Sequence, residues 1–231
     1  MFERLHHQHI ANILQAVDAP LLLSNQCLFG GGTALALRYG EYRESVDIDL
    51  LVSDAEGYRA LRTLLTGPSG VGAILRLGPT LRVGREVRVD QYGLRTVLVV
   101  DGVPIKLEII REARVPLEIP DATEKICGVS TLTPLDMATT KLLANSDRWA
   151  DDGTFSRDLI DLAMMRPGRP LLERALHKAG VAYGTGVSLD LTRAITQLGG
   201  REHRLERCMD ALKMTVPRAV VWARIKALKP R

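Results

Sequence analysis

Two neighbouring sequence patterns contain residue types suited to phosphate and metal chemistry. In the first, three glycines at residues 30–32 precede Thr33 and a run of good helix formers that ends at Gly40. The glycines therefore lie at a predicted helix N-terminus, where backbone N–H groups and the helix dipole attract anions. Gly31, Gly32 and Thr33 are the candidate phosphate ligands, although glycines also serve ordinary turns.

The second pattern is a pair of aspartates in a segment with strand composition. Residues 45–52 are mostly apolar, and their alternation places Asp47 and Asp49 on one face of the predicted strand. Two carboxylates cannot be buried without a compensating charge, so they need water or a cation. A solvated strand edge would satisfy them, but the glycine turn before them favours a Mg²⁺ site that meets the triphosphate of an NTP.

A third carboxylate would complete a two-metal site. Glu108 is the first candidate, on a predicted strand where it shares a face with Lys106, and Asp90 is the second. The alternative for Glu108 is an ordinary exposed position on a strand. These three carboxylates, Asp47, Asp49 and Glu108, are the predicted metal ligands.

The elements that position these residues fall into two parts. Residues 3–17 and a segment from Ser53 to about residue 65 have helical patterns, and three strands are predicted at 85–90, 94–100 and 103–110, the last two joined by the turn Asp101-Gly102. Further helices are predicted at 133–145 and 156–165, with later starts at Pro170, Ser188 and Pro217. We therefore expect an α+β protein with an α/β domain at residues 1–120 and a helical domain at residues 121–231.

The order of these motifs resembles a known enzyme superfamily. The segment GGTALALRYGEYRESVDIDL resembles the first motif of the nucleotidyltransferases that include DNA polymerase β, and more narrowly the chain is similar to the AbiEii/AbiGii toxin family. The resemblance spans about residues 28–165. It implies a mixed sheet flanked by helices, followed by a helical domain. It also implies a glycine-Ser/Thr turn, a DxD pair, a Lys-x-Glu strand, a later Lys, and an Arg/Lys-Asp-x-x-Asp pattern.

The counterparts of the later motifs occur in the implied order. They are Lys106-Leu107-Glu108, Lys141, Asp147-Arg148 and the segment from Arg157 through Asp158 to Asp161. Two positions differ from the family pattern. Thr33 replaces a serine and keeps the hydroxyl, and Arg157 stands where lysine is frequent, which alters hydrogen-bond geometry.

The resemblance implies a metal-assisted transfer of a nucleoside monophosphate. Gly31, Gly32 and Thr33 would hold the β- and γ-phosphates, while Asp47 and Asp49 would bind one or two Mg²⁺ ions. Glu108 would share the second ion and favour deprotonation of the acceptor hydroxyl. In-line attack at the α-phosphorus would then release pyrophosphate.

The helical region is expected to supply further groups. Lys106, Lys141, Arg148 and Arg157 are the candidate cationic ligands of the triphosphate, and Lys141 and Asp158 are candidate catalytic residues. Asp158 and Asp161 lie one helical turn apart and would orient Lys141 or Arg157. The alternatives are a solvated charge for Arg148 and surface partners, such as Arg166, for the two aspartates.

The distribution of charge bears on the acceptor. The net charge is +4, and residues 201–231 contain nine Lys/Arg against three Asp/Glu, whereas the remaining residues contain 22 against 24. Such a segment can neutralise nucleic-acid phosphates, although basic helical surface is common in proteins that bind none. Together with the resemblance, it predicts an RNA acceptor, a tRNA 3′ end, for the toxin of a toxin–antitoxin pair with a cognate antitoxin. The alternatives are a small-molecule acceptor, as in antibiotic nucleotidyltransferases, and a catalytically idle NTP-binding regulator.

Other features narrow the class of protein. No apolar run approaches the roughly 20 residues that cross a bilayer, and the N-terminus lacks an apolar signal-peptide region, so we expect a cytoplasmic protein with no membrane partner. Three separated cysteines indicate neither a disulfide framework nor a thiolate zinc site. His6, His7 and His9 lack the spacing of a helical metal pair, which predicts a polar helix face.

Overall fold

The structure is a computed structural model that describes residues 2–230 and comprises two compact units. The first unit contains the chain up to residue 38 and residues 45–133, and the second contains residues 39–44 and the chain from residue 134 onwards. The chain therefore leaves the first unit after the glycine-initiated helix, contributes six residues to the second, and returns before the DxD pair. Arg231, which counts toward the C-terminal basic excess, lies outside the described residues.

A five-stranded mixed sheet forms the first unit, as the predicted fold class requires. Its order is β1-β2-β5-β4-β3, in which β2 and β5 are parallel and the other pairs are antiparallel. The strands are β1 (Leu28–Gly30), β2 (Ile48–Val52), β3 (Leu81–Val89), β4 (Gly93–Val100) and β5 (Val103–Arg111). The sheet thus brings the DxD strand directly beside the Lys-x-Glu strand.

Period-two alternation gives the sheet one buried face and one open face. On β5, Ile105, Leu107 and Ile109 are buried, whereas Lys106 and Glu108 point to the opposite face. The Asp101-Gly102 hairpin is confirmed, because both residues have the positive φ of a tight two-residue turn, 48° and 84°.

Four helices belong to the first unit, together with a short 3₁₀ turn. They are α1 (Leu5–Ala16), α2 (Ala19–Ser24), α3 (Gly31–Arg38) and α4 (Ala55–Thr66), with the 3₁₀ turn at Gly70–Ala73. The sequence did not predict α2. The sequence predicts Ser53 as the N-cap of α4, which is wrong, because Asp54 accepts the Gly57 N–H while the Ser53 hydroxyl accepts the Leu117 N–H.

Residues 121–133 complete the first unit. They form the hairpin strands β6 (Lys125–Ile126) and β7 (Val129–Ser130), and Leu132 donates its N–H to the Phe29 carbonyl oxygen of β1. This backbone bond places the segment with the sheet.

Helices account for the second unit apart from residues 39–44 and the connecting turns. They are α5 (Pro134–Arg148), α6 (Arg157–Met165), α7 (Arg169–Tyr183), α8 (Gly186–Gly200), α9 (Arg204–Ala211) and α10 (Arg218–Ala227), and the sequence did not predict α9. Seven consecutive residues of α6, from Leu159 to Met165, are buried, so this helix lies at the centre of the unit. Among residues 2–230, no helix is both long enough and apolar enough to cross a bilayer.

Two helical glycines should respond to the same substitution with opposite sign. A Cβ at Gly57 in α4 would lie 2.3 Å from the Asn25 carbonyl oxygen, whereas a Cβ at Gly180 in α7 would meet nothing within 4 Å. Alanine is normally preferred to glycine inside a helix by about 1 kcal/mol. We therefore expect Gly180→Ala to raise the unfolding temperature and Gly57→Ala to lower it. Overpacking strain should reduce the free energy of unfolding of the Gly57→Ala variant by roughly 1–3 kcal/mol.

Thermal and denaturant unfolding of the two variants beside the parent protein measures this difference. Stabilisation by both substitutions would show that α4 does not approach Asn25 as the structure has it.

Candidate active site

The glycine turn lies directly against the first carboxylate. Gly31 begins α3 with φ of 69°, and its backbone faces Asp49 so closely that a Cβ would lie 2.1 Å from Asp49 Oδ2. Gly30 pairs with Asp49 across β1 and β2. Glycine at residue 31 is therefore required twice, by a left-handed backbone and by the approach of the carboxylate.

Thr33, another candidate phosphate ligand, makes hydrogen bonds within the sheet unit. Thr33 is buried, and its hydroxyl donates to the Asp47 carbonyl oxygen and lies 2.8 Å from Ser45 Oγ. The hydroxyl thereby fixes the backbone that leads into β2. Gly32, the remaining candidate, lies in the first turn of α3 and is half-buried.

Two histidines of α1 also contact the segment that leads into β2. His7 and His9 are buried, so the prediction of a polar helix face was wrong for these two residues. The His7 ring accepts the Ser45 N–H at 3.2 Å, and His6 Nε2 lies 3.1 Å from the Val46 carbonyl oxygen. These contacts could not be predicted from local sequence, because the partners are about forty residues apart.

The parallel pairing of β2 and β5 brings the predicted carboxylates together. Asp49 lies opposite Glu108 in register, and Ile48 lies opposite Leu107. Residues paired in this way point to the same face of the sheet. Asp47 precedes the first residue of β2 and is half-buried, so the second aspartate of the pair, but not the first, lies within the strand.

Two cationic side chains bind the carboxylate of Glu108. Arg95 Nε of β4 donates to Oε1, and Lys106 Nζ lies 2.7 Å from Oε2. Arg95 also binds Asp90, and the hydrogen bond to Glu108 is the main cause that raises the pKa of Arg95 despite some burial. Asp90 lies in the turn after β3 and accepts the Tyr92 and Gly93 N–H groups, which lower the pKa of Asp90.

The donor set at this face fits a divalent cation in its chemistry. Asp47, Asp49 and Glu108 offer the oxygen ligands that Mg²⁺ prefers, and two of the three are adjacent in register. Within residues 2–230, however, no three acidic, histidine or cysteine side chains are close enough together to form a metal cluster. Glu108 would have to exchange at least one of its two cations to bind an ion.

A separate group of buried charges lies in the helical unit. Lys141 of α5 is 6% exposed and pairs with Asp158 at 3.0 Å and Asp161 at 2.7 Å, both on α6. Arg148 binds Asp158 through two nitrogens. The predicted orientation of Lys141 by the two aspartates is therefore present, whereas the alternative of surface arginine partners for Asp158 and Asp161 is excluded by their burial.

The segment between the two halves of the glycine and DxD motif supplies the remaining partners. Arg43 donates to both oxygens of Asp161, at 2.6 and 2.8 Å, and Tyr42 Oη donates to the same carboxylate at 2.7 Å. All three side chains are almost fully buried. No local pattern predicts these contacts, since Asp161 lies more than a hundred residues further along the chain.

Mutual neutralisation keeps this group ionised in spite of burial. Burial by itself would raise the pKa of Asp161, but Arg43 and Lys141 hold it below its usual range. The pKa of Asp158 is likewise lowered, against the effect of burial, by Lys141 and Arg148. Burial lowers the pKa of Lys141, but Asp161 and Asp158 raise it above its ordinary value.

The predicted site residues thus lie in two groups, each within one unit. The sheet unit contains Gly31, Gly32, Thr33, Asp47, Asp49, Lys106 and Glu108, and the helical unit contains Lys141, Arg148, Arg157 and Asp158. Arg157 is exposed and has no ion-pair partner among the residues that the structure describes. The catalytic roles of Lys141 and Asp158 stay predictions, since their charges are used within the helical unit.

A comparison with protein families identifies the class of enzyme. The family described as Nucleotidyl transferase AbiEii toxin, Type IV TA system, matches residues 12–223. The chain belongs to this family. It is accordingly a nucleotidyltransferase, and the resemblance inferred from the motifs is confirmed.

Two solved structures are similar to this AbiEii family member, and the first of them supports the fold. A crystal structure of a candidate nucleotidyltransferase from H. pylori aligns with a TM-score of 0.50 at 17% identity, over 97% of this chain and 93% of that chain. JHP933 from Helicobacter pylori aligns with a TM-score of 0.47 at 16% identity, over 99% of this chain and 94% of that chain. No curated protein matches the chain.

The buried charges of the helical unit generate a stability prediction. Arg43→Met removes a cation that is 5% exposed from a carboxylate that is fully buried, and breaking such a pair costs roughly 3–5 kcal/mol. Arg169→Met in the exposed pair with Glu173 serves as the control and should cost no more than about 0.5 kcal/mol.

The pH dependence of the same variants gives a second readout. Because the pKa of Asp161 is lowered in the folded protein, its stabilisation is complete above the unfolded value of about 3.9 and is lost as the pH falls below it. The deficit of Arg43→Met should therefore be largest near neutral pH and shrink below about pH 4. Denaturant unfolding across this range measures it, and a deficit independent of pH would contradict the assignment.

Proposed function

We propose that this AbiEii family member transfers a nucleoside monophosphate from an NTP to the 3′-terminal hydroxyl of an RNA, in a reaction that requires Mg²⁺. One observation carries the proposal. Asp49 and Glu108 are paired in register on adjacent parallel strands, and Gly31 packs its bare backbone against Asp49 at the start of α3. This arrangement puts an anion-binding helix N-terminus beside two oxygen ligands.

Each group at this face has a role in the proposed reaction. The N–H groups at Gly31 and Gly32 bind the phosphates, and Asp47, Asp49 and Glu108 hold the ion. When bound, Mg²⁺ would polarise the phosphoryl oxygens and offset charge on the triphosphate. Lys106 is half-exposed beside Glu108 and supports the triphosphate as a further cation.

The transfer itself is a single displacement. The acceptor oxygen forms a bond to the α-phosphorus while the bridging bond to the β-phosphate breaks, and pyrophosphate leaves with the bonding electron pair. The proton of the acceptor hydroxyl passes to a carboxylate at this face, for which Glu108 is the candidate. Positioning and charge stabilisation supply the acceleration, as in other phosphoryl transfers.

The toxin role and the motifs bear on the partner and the acceptor of this enzyme. The family description places these proteins in type IV toxin–antitoxin systems, so we infer a cognate antitoxin as partner. The RNA acceptor, such as tRNA, is inferred from the motif resemblance together with the basic C-terminal segment. The basic segment at residues 201–231 is weaker support for an RNA acceptor than its composition suggests. Four of its nine basic residues are ion-paired within the helical unit, namely Arg201, Arg204, Lys213 and Arg218.

One specific observation favours a second candidate function. Because Arg95 and Lys106 occupy Glu108, an NTP could bind at the glycine turn without a complete set of metal ligands. This state corresponds to a catalytically idle NTP-binding regulator.

A transfer assay with two aspartate variants tests the proposal. Asp49→Asn keeps the size of the side chain but removes a metal ligand, whereas Asp101→Asn makes the same change at the exposed hairpin tip of the same sheet. With each α-labelled NTP, Mg²⁺ and total RNA, we expect label on RNA to fall at least about 100-fold in the first variant. Asp101→Asn should match the parent protein.

The distribution of label distinguishes the alternatives. NTP binding without transfer in the parent protein would indicate the idle regulator, and label on small molecules alone would indicate a small-molecule acceptor. Equal transfer by Asp49→Asn and the parent would contradict the assignment of the site.

A further inference from the structure

The edge strand β3 carries three arginines that share one face of the sheet. Arg82, Arg85 and Arg88 are three residues apart, a spacing that would place alternate members on opposite faces of a regular strand. Register shifts occur between Val83 and Arg85 and again between Arg85 and Arg88. Each shift inserts one extra residue, so every third residue of β3 lies opposite every second residue of β4.

The pairing partners identify the face. The three arginines lie opposite Val99, Val97 and Arg95 respectively, and these positions of β4 alternate with the buried Leu94, Thr96 and Leu98. The arginines therefore point to the open face of the sheet, the face that carries Lys106 and Glu108.

These arginines share with other exposed basic residues, such as Arg59 and Arg157, the lack of a side-chain partner among residues 2–230, but they are distinguished by lying in one regularly spaced row. All three are exposed, and none has a hydrogen-bonded or ion-paired side chain among residues 2–230. A column of uncompensated charge along an edge strand repels itself, and it also blunts pairing with a second sheet. Such a row is also suited to binding an anion that carries several regularly spaced charges.

The arginine column leads to the carboxylates. One register row crosses the sheet from Arg88 through Arg95 and Glu108 to Asp49. Arg85 lies in the next row with Lys106, and Arg82 lies one row further out. Since each row is separated by two residues of β4, successive arginines are about 7 Å apart, which is comparable to the separation of consecutive phosphates in an extended nucleic-acid strand.

An exposed aromatic residue ends the column on the side of the carboxylate row. Tyr92 lies in the turn between β3 and β4 and is 64% exposed. Asp90 Oδ1 accepts the Tyr92 and Gly93 N–H groups, which fixes the backbone of this turn. A large exposed ring beside a row of cations is the combination that single-strand binding surfaces use to stack bases and hold phosphates.

We propose that Arg82, Arg85 and Arg88 with Tyr92 form a binding track for the single-stranded 3′ end of the acceptor RNA. The phosphates before the terminal nucleotide lie along the arginines, and the terminal hydroxyl reaches the face of Asp49 and Glu108. This inference rests on the proposed function, and it names the acceptor as an unpaired strand that is read through its backbone.

Binding can be measured without catalysis. The full chain is titrated against a fluorescent single-stranded RNA of about a dozen nucleotides. The Arg82/Arg85/Arg88→Gln triple variant is compared with Arg59/Arg62/Arg76→Gln, which removes the same charge from exposed positions of the same unit. We expect the first triple to weaken binding at least about 10-fold at low salt and to reduce the slope of log K against log salt by about 2, at roughly 0.7 per lost single-strand phosphate contact. The control triple should bind like the parent protein.

The aromatic contribution has its own matched pair. Tyr92→Phe keeps the ring and should bind RNA like the parent, whereas Tyr92→Leu should weaken binding about 5- to 10-fold, because base stacking is lost. Equal affinity of the Leu and Phe variants would remove Tyr92 from the track.

Three further outcomes would overturn the proposal. An unchanged RNA affinity with a raised KM for NTP in the first triple would assign the arginines to the triphosphate. Equal binding of a polyglutamate peptide of matched length would assign the surface to an acidic protein partner. Preference for a blunt RNA duplex would exclude an unpaired strand.

Failure of the proposed function gives a different pattern. If transfer to RNA is absent while the parent binds the strand and the first triple does not, the track stands and the reaction assignment fails. If transfer to RNA is present and insensitive to both triples, the reaction assignment stands and the track fails.

Discussion

The parallel pairing of β2 with β5 is the constraint on which the candidate site depends. It joins segments that are some sixty residues apart and sets Asp49 opposite Glu108 in register. A shift of one residue would turn one of the two carboxylates to the buried face, among Ile105, Leu107 and Ile109. The apolar alternation of β5 therefore protects the register, because burying Glu108 instead of Leu107 would cost far more than any single pairing contributes.

A second constraint lies in the segment between the glycine turn and the DxD strand, which belongs to the second unit. Residues 39–44 connect α3 to the DxD strand, yet Tyr42 and Arg43 are committed to Asp161 in the helical unit. The two halves of the motif are consequently joined by a segment whose conformation is fixed by buried charges.

The sequence allowed the motifs to be predicted better than their neighbours. Local chemistry identifies Gly31, because a helix start and a left-handed turn both favour glycine, and the alternation around Glu108 identifies its face. The partners of these residues could not be predicted. His7 on Ser45, Arg95 on Glu108 and Arg43 on Asp161 are contacts between distant segments, and each is an ordinary polar residue in its own local sequence.

The charges available to a ligand also could not be predicted from the sequence. The residue count places the basic excess in residues 201–231. Ion pairs such as those of Arg204 with Asp152 and of Lys213 with Glu44 neutralise part of this charge. Three exposed arginines without side-chain partners lie on β3, where the residue count shows no basic excess and a spacing of three predicts arginines on both faces of a regular strand. Two bulges gather them on the open face. Which charges are available to a ligand therefore depends on the strand register and on burial, and these are properties of the folded sheet.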